Sequence, residues 1–418
     1  MTTSNPVFGK DRPKKSGMTA TPSEDRSRSY ERYLLRRVLD AMGSPRFAVA
    51  LWDGFKISPK DATPVATVNV HSRSALNQLL RQGDMGFGDA FSNGGISVEG
   101  DLVAMLVAAF TVPEPTGIAA VMKSLQQRKP RANTKDGSRE NIHHHYDIGN
   151  DFYRLWLDKE MQYTCAYFPE DELTIEAAQQ AKMDHICRKL QLRPGDRVAE
   201  AGCGWGGLAR HMALNYGATV SSWNVSDEQV QYATDRAKAE GYDDRVTYVL
   251  DDYRNITGEY DAFVSVGMLE HVGLDNYTEL GGVVDRCLTQ NGRALVHTIG
   301  RNRPRLMNAW IEKRIFPGAY PPTIKEMMEI FEPNRFSVLD VENLRLHYAK
   351  TLAHWLARYD ASDEQVQAEF GEDFARAWRL YLAGSQAAFL AGGLQLFQVV
   401  FTRERNNELA ATRRHLYS

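Results

Sequence analysis

Between Val198 and Gly207 the chain reads VAEAGCGWGG, an apolar run carrying one acid, Glu200, and then glycines at 202, 204, 206 and 207. Glycines at alternate positions let the main chain come close to a ligand, and a helix starting near Leu208 would add amide donors at its N-terminus. Gly202, Gly204 and Gly207 also satisfy G-x-G-x-x-G, so a dinucleotide-dependent dehydrogenase competes with S-adenosylmethionine chemistry, and a tight turn without ligand is the third option. Two features favour the sulfonium cofactor. Glu200, two residues ahead of the first glycine, would repel a pyrophosphate, whereas it can bind an α-amino group or order the loop around one. At the end of the next strand, where a ribose-binding acid is usual, the chain has Asn224 with Gln229 one turn further on, and these amides can take the acid's place.

Glu270 and His271 follow an apolar run at 261–266, and His297 ends another at 293–298. The carboxyl ends of strands in a doubly wound sheet are where sites form. The competing reading of Glu270 and His271 is a salt-linked pair opening a helix. Four cysteines, Cys165, Cys187, Cys203 and Cys287, are scattered without a CxxC pair, which argues against a disulfide scaffold or thiolate zinc site. The triplet His143 to His145 suggests a metal cluster, but neighbouring side chains point different ways, and no metal is assigned.

The elements that must position these groups follow from periodicity. Runs at 197–201, 219–225, 246–251, 261–266 and 293–298 alternate with helical patterns, which means a doubly wound, mostly parallel α/β sheet. A further apolar run at 394–401 would add an edge strand. Upstream, strand-like runs at 47–53, 65–70 and 96–98, with helical patterns at 75–80 and 102–110, make a small α+β domain at 29–125. Residues 1–28 are polar and read as a disordered tail; 126–139 have linker composition, leaving 140–418 as the catalytic domain. A chain of 418 residues, 43% hydrophobic, is long enough for two cores. A net charge of −3 gives no global basic excess for nucleic acid. The chain lacks the ~20 consecutive apolar residues that span a bilayer and has no apolar signal core near its N-terminus, so a cytoplasmic protein is expected.

Three longer segments go beyond a generic cofactor turn: HYDIGNDFY at 145–153 leading into MQYTCAY at 161–167, SVGMLEHVG at 265–273, and VHTIG at 296–300. With them the chain resembles the cyclopropane-fatty-acyl-phospholipid synthases and their mycolic acid cyclopropane synthase relatives, over roughly 140–402. The resemblance implies a seven-stranded class I methyltransferase sheet with a smaller N-terminal α+β domain. It implies transfer of a methyl(ene) group from S-adenosylmethionine to the double bond of an unsaturated phospholipid acyl chain. In that family a bound bicarbonate ion acts as base, and the matching positions are Cys165, Glu270, His297, Ile299 and Tyr348. The cofactor-contacting positions carried over are Tyr163, Thr164, the glycine turn, Asn224, Gln229, Asp252 and Tyr253. Glu200 stands where relatives usually carry Asp, and Asn224 where they carry Thr.

An alkene has no proton to lose before attack, so the first requirement is alignment of the sulfonium methyl with the π bond. The resulting carbocation must be kept from water until a proton leaves. Tyr163, Tyr167, Phe168, Trp205 and Tyr348 could stabilise a cation through their ring faces or simply pack the core. A protein carboxylate beside a sulfonium risks methylation, and a bound bicarbonate, held by Glu270, His297, Tyr348 and Cys165, avoids this. Basic and bulky apolar residues mix at 301–316, which suits peripheral contact with an anionic membrane at its inner face, the competing reading being a helix packed on the sheet. A homodimer is compatible with all of this. The same methylation could end in a methylene or methyl-branched chain; a non-catalytic lipid-binding module is opposed by the intact set of Cys165, Glu270, His297 and Tyr348, and small-molecule N-methylation by the N-terminal domain.

Overall fold

A computed structural model describes residues 26–60, 62–112 and 148–417. The tail up to residue 25, the linker at 126–139 and His143 to His145 lie outside the described residues. In chain order the elements begin with α1 (Ser29–Ala41), β1 (Ala48–Leu51), β2 (Lys56–Ile57), β3 (Ala66–Val70), α2 (Arg73–Gln82), α3 (Asp84–Ser92), β4 (Ile96–Gly100) and α4 (Leu102–Phe110). There follow α5 (Asn150–Arg154), α6 (Ile175–Leu190), β5 (Arg197–Ala201), α7 (Gly207–Tyr216), β6 (Thr219–Asn224), α8 (Asp227–Glu240), β7 (Val246–Leu250) and β8 (Tyr260–Val266). The remainder are α9 (Tyr277–Cys287), β9 (Leu288–Gly300), α10 (Ala309–Arg314), α11 (Ile324–Phe331), β10 (Phe336–Asn343), α12 (Arg345–Ala361), α13 (Asp363–Phe370), α14 (Glu372–Leu390) and β11 (Gln395–Arg403).

Two compact units emerge. The first combines the N-terminal elements with 306–317 and 355–393; the second holds, of the described residues, 148–305, 318–354 and 394–417. In the first, a sheet of order β2-β1-β3-β4 has one parallel pair, β1 with β3. Helix α14 packs on α3 and α4, and α10 packs on α3. Gly88 makes the second contact possible, because a Cβ there would lie 2.4 Å from the Trp310 ring. The Trp310 indole N–H donates to Asp89 Oδ1 at 3.1 Å, and Arg314 holds the same carboxylate at 2.9 Å. Within 301–316, Trp310 and Ile315 are buried and the Arg301 side chain is turned onto the Arg305 carbonyl, while 302–305 are exposed and Leu306, Met307, Ile311 and Phe316 are half-buried. Helix α10 is thus packed through Trp310 on α3.

The second unit is the seven-stranded sheet, of order β10-β11-β9-β8-β5-β6-β7. Strands β5 to β9 run parallel and β11 is antiparallel to both its neighbours. The run at 394–401 thus forms an interior strand, not the expected edge. The edge is β10, which the sequence reading left out because its half-exposed FSVLDVEN mixes acids with apolar residues. The central strands are buried on both faces, and successive side chains alternate between the two. Val198, Val220, Val264, Leu295 and Val400 pack beneath α6 and α7, while Ala199, Phe263, Val296 and Val399 face α9 and α11. Helices on both faces of a largely parallel sheet are what the alternating pattern called for.

Candidate active site

Along the α6 face, the sheet changes chemistry at its carboxyl ends. Val198 gives way to Glu200, Val220 to Ser222 and Leu295 to His297, while antiparallel β11 contributes Gln398 opposite His297. All four are buried. Gln398 Nε2 lies 3.0 Å from His297 Nδ1. With the amide donating there, the neutral imidazole carries its proton on Nε2, which is buried without a hydrogen-bond partner among the described residues. Burial, with the Lys182 and Lys189 charges, holds His297 well below its ordinary pKa, so it is neutral at physiological pH.

Glu270 sits in a 3-10 turn just past β8, and its Oε1 accepts from the Ile299 amide at 2.6 Å. Its Oε2 is buried and unpartnered among the described residues, and burial pushes the carboxyl up to about 7. Ile299, a position carried over at the anion site, thus gives its amide to Glu270. Cys165 and Tyr348 join through Leu344: its carbonyl accepts from the Tyr348 amide at 3.1 Å and lies 3.9 Å from Cys165 Sγ. The Leu344 amide in turn bonds Leu396 O, and Leu396 pairs with Ile299 across β11 and β9. Five residues far apart in sequence are so tied to one end of two strands. Burial raises the Cys165 thiol well above its usual pKa, which suits a wall residue rather than a thiolate nucleophile.

The glycine turn has the backbone its sequence requires, with φ of +88° at Gly202, +52° at Gly204 and +84° at Gly206. A Cβ at Gly204 would meet nothing within 4 Å, so the turn leaves open space there. Glu200 takes the Ser222 hydroxyl hydrogen bond, tying β5 to β6 below the turn, and burial pushes it up to about 7. Asn224 is engaged with Gln229 at 2.8 Å and with the Val225 amide at 2.8 Å. Asp252 caps the next turn, accepting from the Arg254 amide, and the buried Tyr253 hydroxyl lacks a hydrogen-bond partner among the described residues. Thr164 lies against Gly267, whose amide bonds His297 O, so residues expected at the cofactor adjoin those expected at the base.

The aromatic residues divide. Trp205 donates to Asn150 at 2.6 Å and packs with Tyr153, which also meets Tyr163, in one cluster linking the turn to 150–163. Tyr167 stacks on His185 with ring centroids 4.2 Å apart, and the Phe168 ring carries the Lys350 ammonium at 4.7 Å. These two rings already have partners of their own. Sequence reasoning passed over Gln398 and the fully buried Lys182, whose ammonium meets Gln162 and Thr164. Both had a signal. Gln398 interrupts the apolar LFQVVF, and Lys182 falls one turn after Ala178 and one before Ile186 on the apolar stripe of α6.

A family model described as mycolic acid cyclopropane synthetase matches residues 133–399. A probable fatty acid methyltransferase of Pseudomonas putida is 37% identical over 382 residues, 88% of this chain and 95% of that protein. The cyclopropane-fatty-acyl-phospholipid synthase of Escherichia coli K12 is 44% identical over 270 residues, 64% of this chain and 69% of that one. Among solved structures, a mycolic acid cyclopropane synthase complexed with SAH and CTAB superposes with a TM-score of 0.60 at 30% identity, covering 63% of this chain and 98% of that one.

Proposed function

Since the chain belongs to the mycolic acid cyclopropane synthetase family, we propose that it transfers a methyl(ene) group from S-adenosylmethionine to the double bond of an unsaturated phospholipid acyl chain, giving a cyclopropane. The observation that carries the reading is the pair of buried polar atoms facing no protein partner among the described residues, Glu270 Oε2 and His297 Nε2. One accepts and the other donates, which matches a small protonated anion such as bicarbonate. Bound there, bicarbonate would supply a proton acceptor that the sulfonium does not threaten to methylate. Glu270 and His297 hold and orient it, Gln398 fixes the imidazole tautomer, and Cys165 and Tyr348 wall the site against water. Tyr163, Thr164 and the 202–207 turn would hold the cofactor, with Gly204 leaving the room it needs.

The same methyl transfer ending in a methylene or methyl-branched chain is favoured by one observation: the fatty acid methyltransferase relative matches nearly end to end, N-terminal part included. The acyl substrate places the enzyme at the inner face of a membrane as a peripheral, cytoplasmic protein; no helix among the described residues is long and apolar enough to cross a membrane. A small α+β domain at 29–125 and a methyltransferase domain from 140 onward are part of the same proposal. Mass spectrometry of lipids from a host expressing the protein decides the product. Added CH2 as a ring supports the main reading, added CH2 as an alkene or branch supports the second, and unchanged acyl chains would sink both.

A further inference from the structure

Helix α1 buries one side and leaves the other to solvent. Glu31, Leu35 and Leu39, one turn apart, are buried. The Glu31 carboxylate is held by Arg73 at 2.8 Å and accepts from the Arg28 amide, which fixes the helix on the first unit. The outward side is not the polar face such a helix usually presents. Tyr30, Leu34 and Val38 are 52%, 45% and 43% exposed, in line at successive turns, and Tyr33 beside them is 61% exposed. Arg37 stands within this stripe, with Arg36 and the N-cap Arg28 also exposed, and Asp40 is the only exposed acid on the helix.

The charge around the stripe has a sign opposite to that of the chain. The described residues 26–46 contain six Arg and two acids, a surplus of four positive charges in a protein of net charge −3. Tyrosines prefer the headgroup level of a bilayer, short aliphatic side chains reach just below it, and guanidinium groups lie along phosphates. We infer that the Tyr30, Tyr33, Leu34 and Val38 face of α1, with Arg37, docks this protein on an anionic phospholipid bilayer. The inference rests on the proposed phospholipid substrate, and it places the contact on α1, whereas Trp310 and Ile315 of the 301–316 segment are buried.

Full-length protein is mixed with vesicles of phosphatidylcholine alone or with phosphatidylglycerol and then sedimented. Binding is expected to need the anionic lipid and to weaken as salt rises. Tyr30→Gln, Leu34→Gln and Val38→Gln together should weaken it by about tenfold or more, and Arg37→Gln less, with calorimetric cofactor affinity and circular dichroism unchanged. Tyr33→Trp alone should show a blue-shifted emission on the anionic vesicles, a readout that holds even if the triple variant folds poorly. Wild-type vesicle binding by a folded triple variant, or Tyr33→Trp emission that vesicles leave unmoved, would overturn the inference. A triple variant that halves in mass by sedimentation equilibrium yet still binds vesicles would assign the face to a second copy and overturn it too. Unchanged lipids in an expressing host would remove the catalytic reading while leaving the vesicle result intact.

Discussion

Glu270, the proposed holder of the base, has one carboxyl oxygen spent on a backbone amide and the other unpartnered among the described residues. Glu270→Gln keeps the shape and the Ile299 contact but removes the charge, so turnover should fall by about 10²-fold or more while cofactor affinity stays within about twofold. Because burial raises Glu270 to about 7, its carboxylate form fills in as pH passes that value, and wild-type turnover should climb through the same range. A Gln variant with near-normal turnover at saturating cofactor and lipid would make the carboxylate structural. Gln398 acts one step further back. Gln398→Leu leaves Nδ1 of His297 unopposed, so the imidazole tautomer becomes mixed and turnover should drop by about 10–100-fold. Nitrogen-15 shifts of His297 read the tautomer directly, and an unchanged tautomer in the variant would remove Gln398 from this role.

The turn between β5 and α7 is where an element's backbone decides binding. Gly204 combines φ of +52° with open space where a Cβ would project, so Gly204→Val both strains the turn and fills that space. Calorimetry should find no cofactor binding in a folded Gly204→Val protein, and an unchanged affinity would put the cofactor elsewhere. This turn, its flanking strand and the five parallel strands were legible in the sequence because glycine spacing and β-branched runs are local signals. Strand β10 was not, since an edge strand needs apolar residues on few of its positions. Nor was the interior place of β11, because pairing order is set by contacts between distant segments and leaves no periodicity. The site was legible only in part for the same reason. Glu270 and His297 stand beside recognisable motifs, whereas Gln398 becomes meaningful once β11 is known to pair with β9. At 301–316 composition left a membrane-facing and a packed helix open, and the seat of Trp310 depends on Gly88 and Asp89, more than two hundred residues away.

For the whole molecule, buried carboxyl groups set how stability responds to pH. Glu200 and Glu270 are each raised by burial to about 7, so the folded state binds their protons more tightly than the unfolded chain does. Their contribution is full below an unfolded pKa of about 4.5 and is lost as pH rises to about 7, on the order of 3 kcal/mol for each. Glu342 works in the other direction: although burial raises it, hydrogen bonds and charge from His185 and Lys189 hold it at about 2, so its contribution is lost as pH falls from about 4.5 toward that value. His271 and His297, held below their ordinary pKa by burial, gain stability over the same range as pH rises, so the carboxyl effect is read by difference: Glu200→Gln or Glu270→Gln should raise melting temperature relative to wild type progressively from about pH 4.5 to 7. A melting curve that ignores these substitutions above neutrality would mean that neither carboxyl is paying a desolvation cost. The late position of β11 has a consequence in time. Ninety-five positions separate Gly300 from Gln395, so at a ribosomal pace of about 5–20 residues per second β9 waits roughly 5–20 s for its neighbour. Throughout that interval β9, paired with β8 on one side, keeps its other edge open, and His297 lacks the Gln398 amide that orients it. Pairing of β11 thus both covers the open edge of β9 and supplies the Gln398 amide to His297, and a chain arrested before Gln395 lacks both.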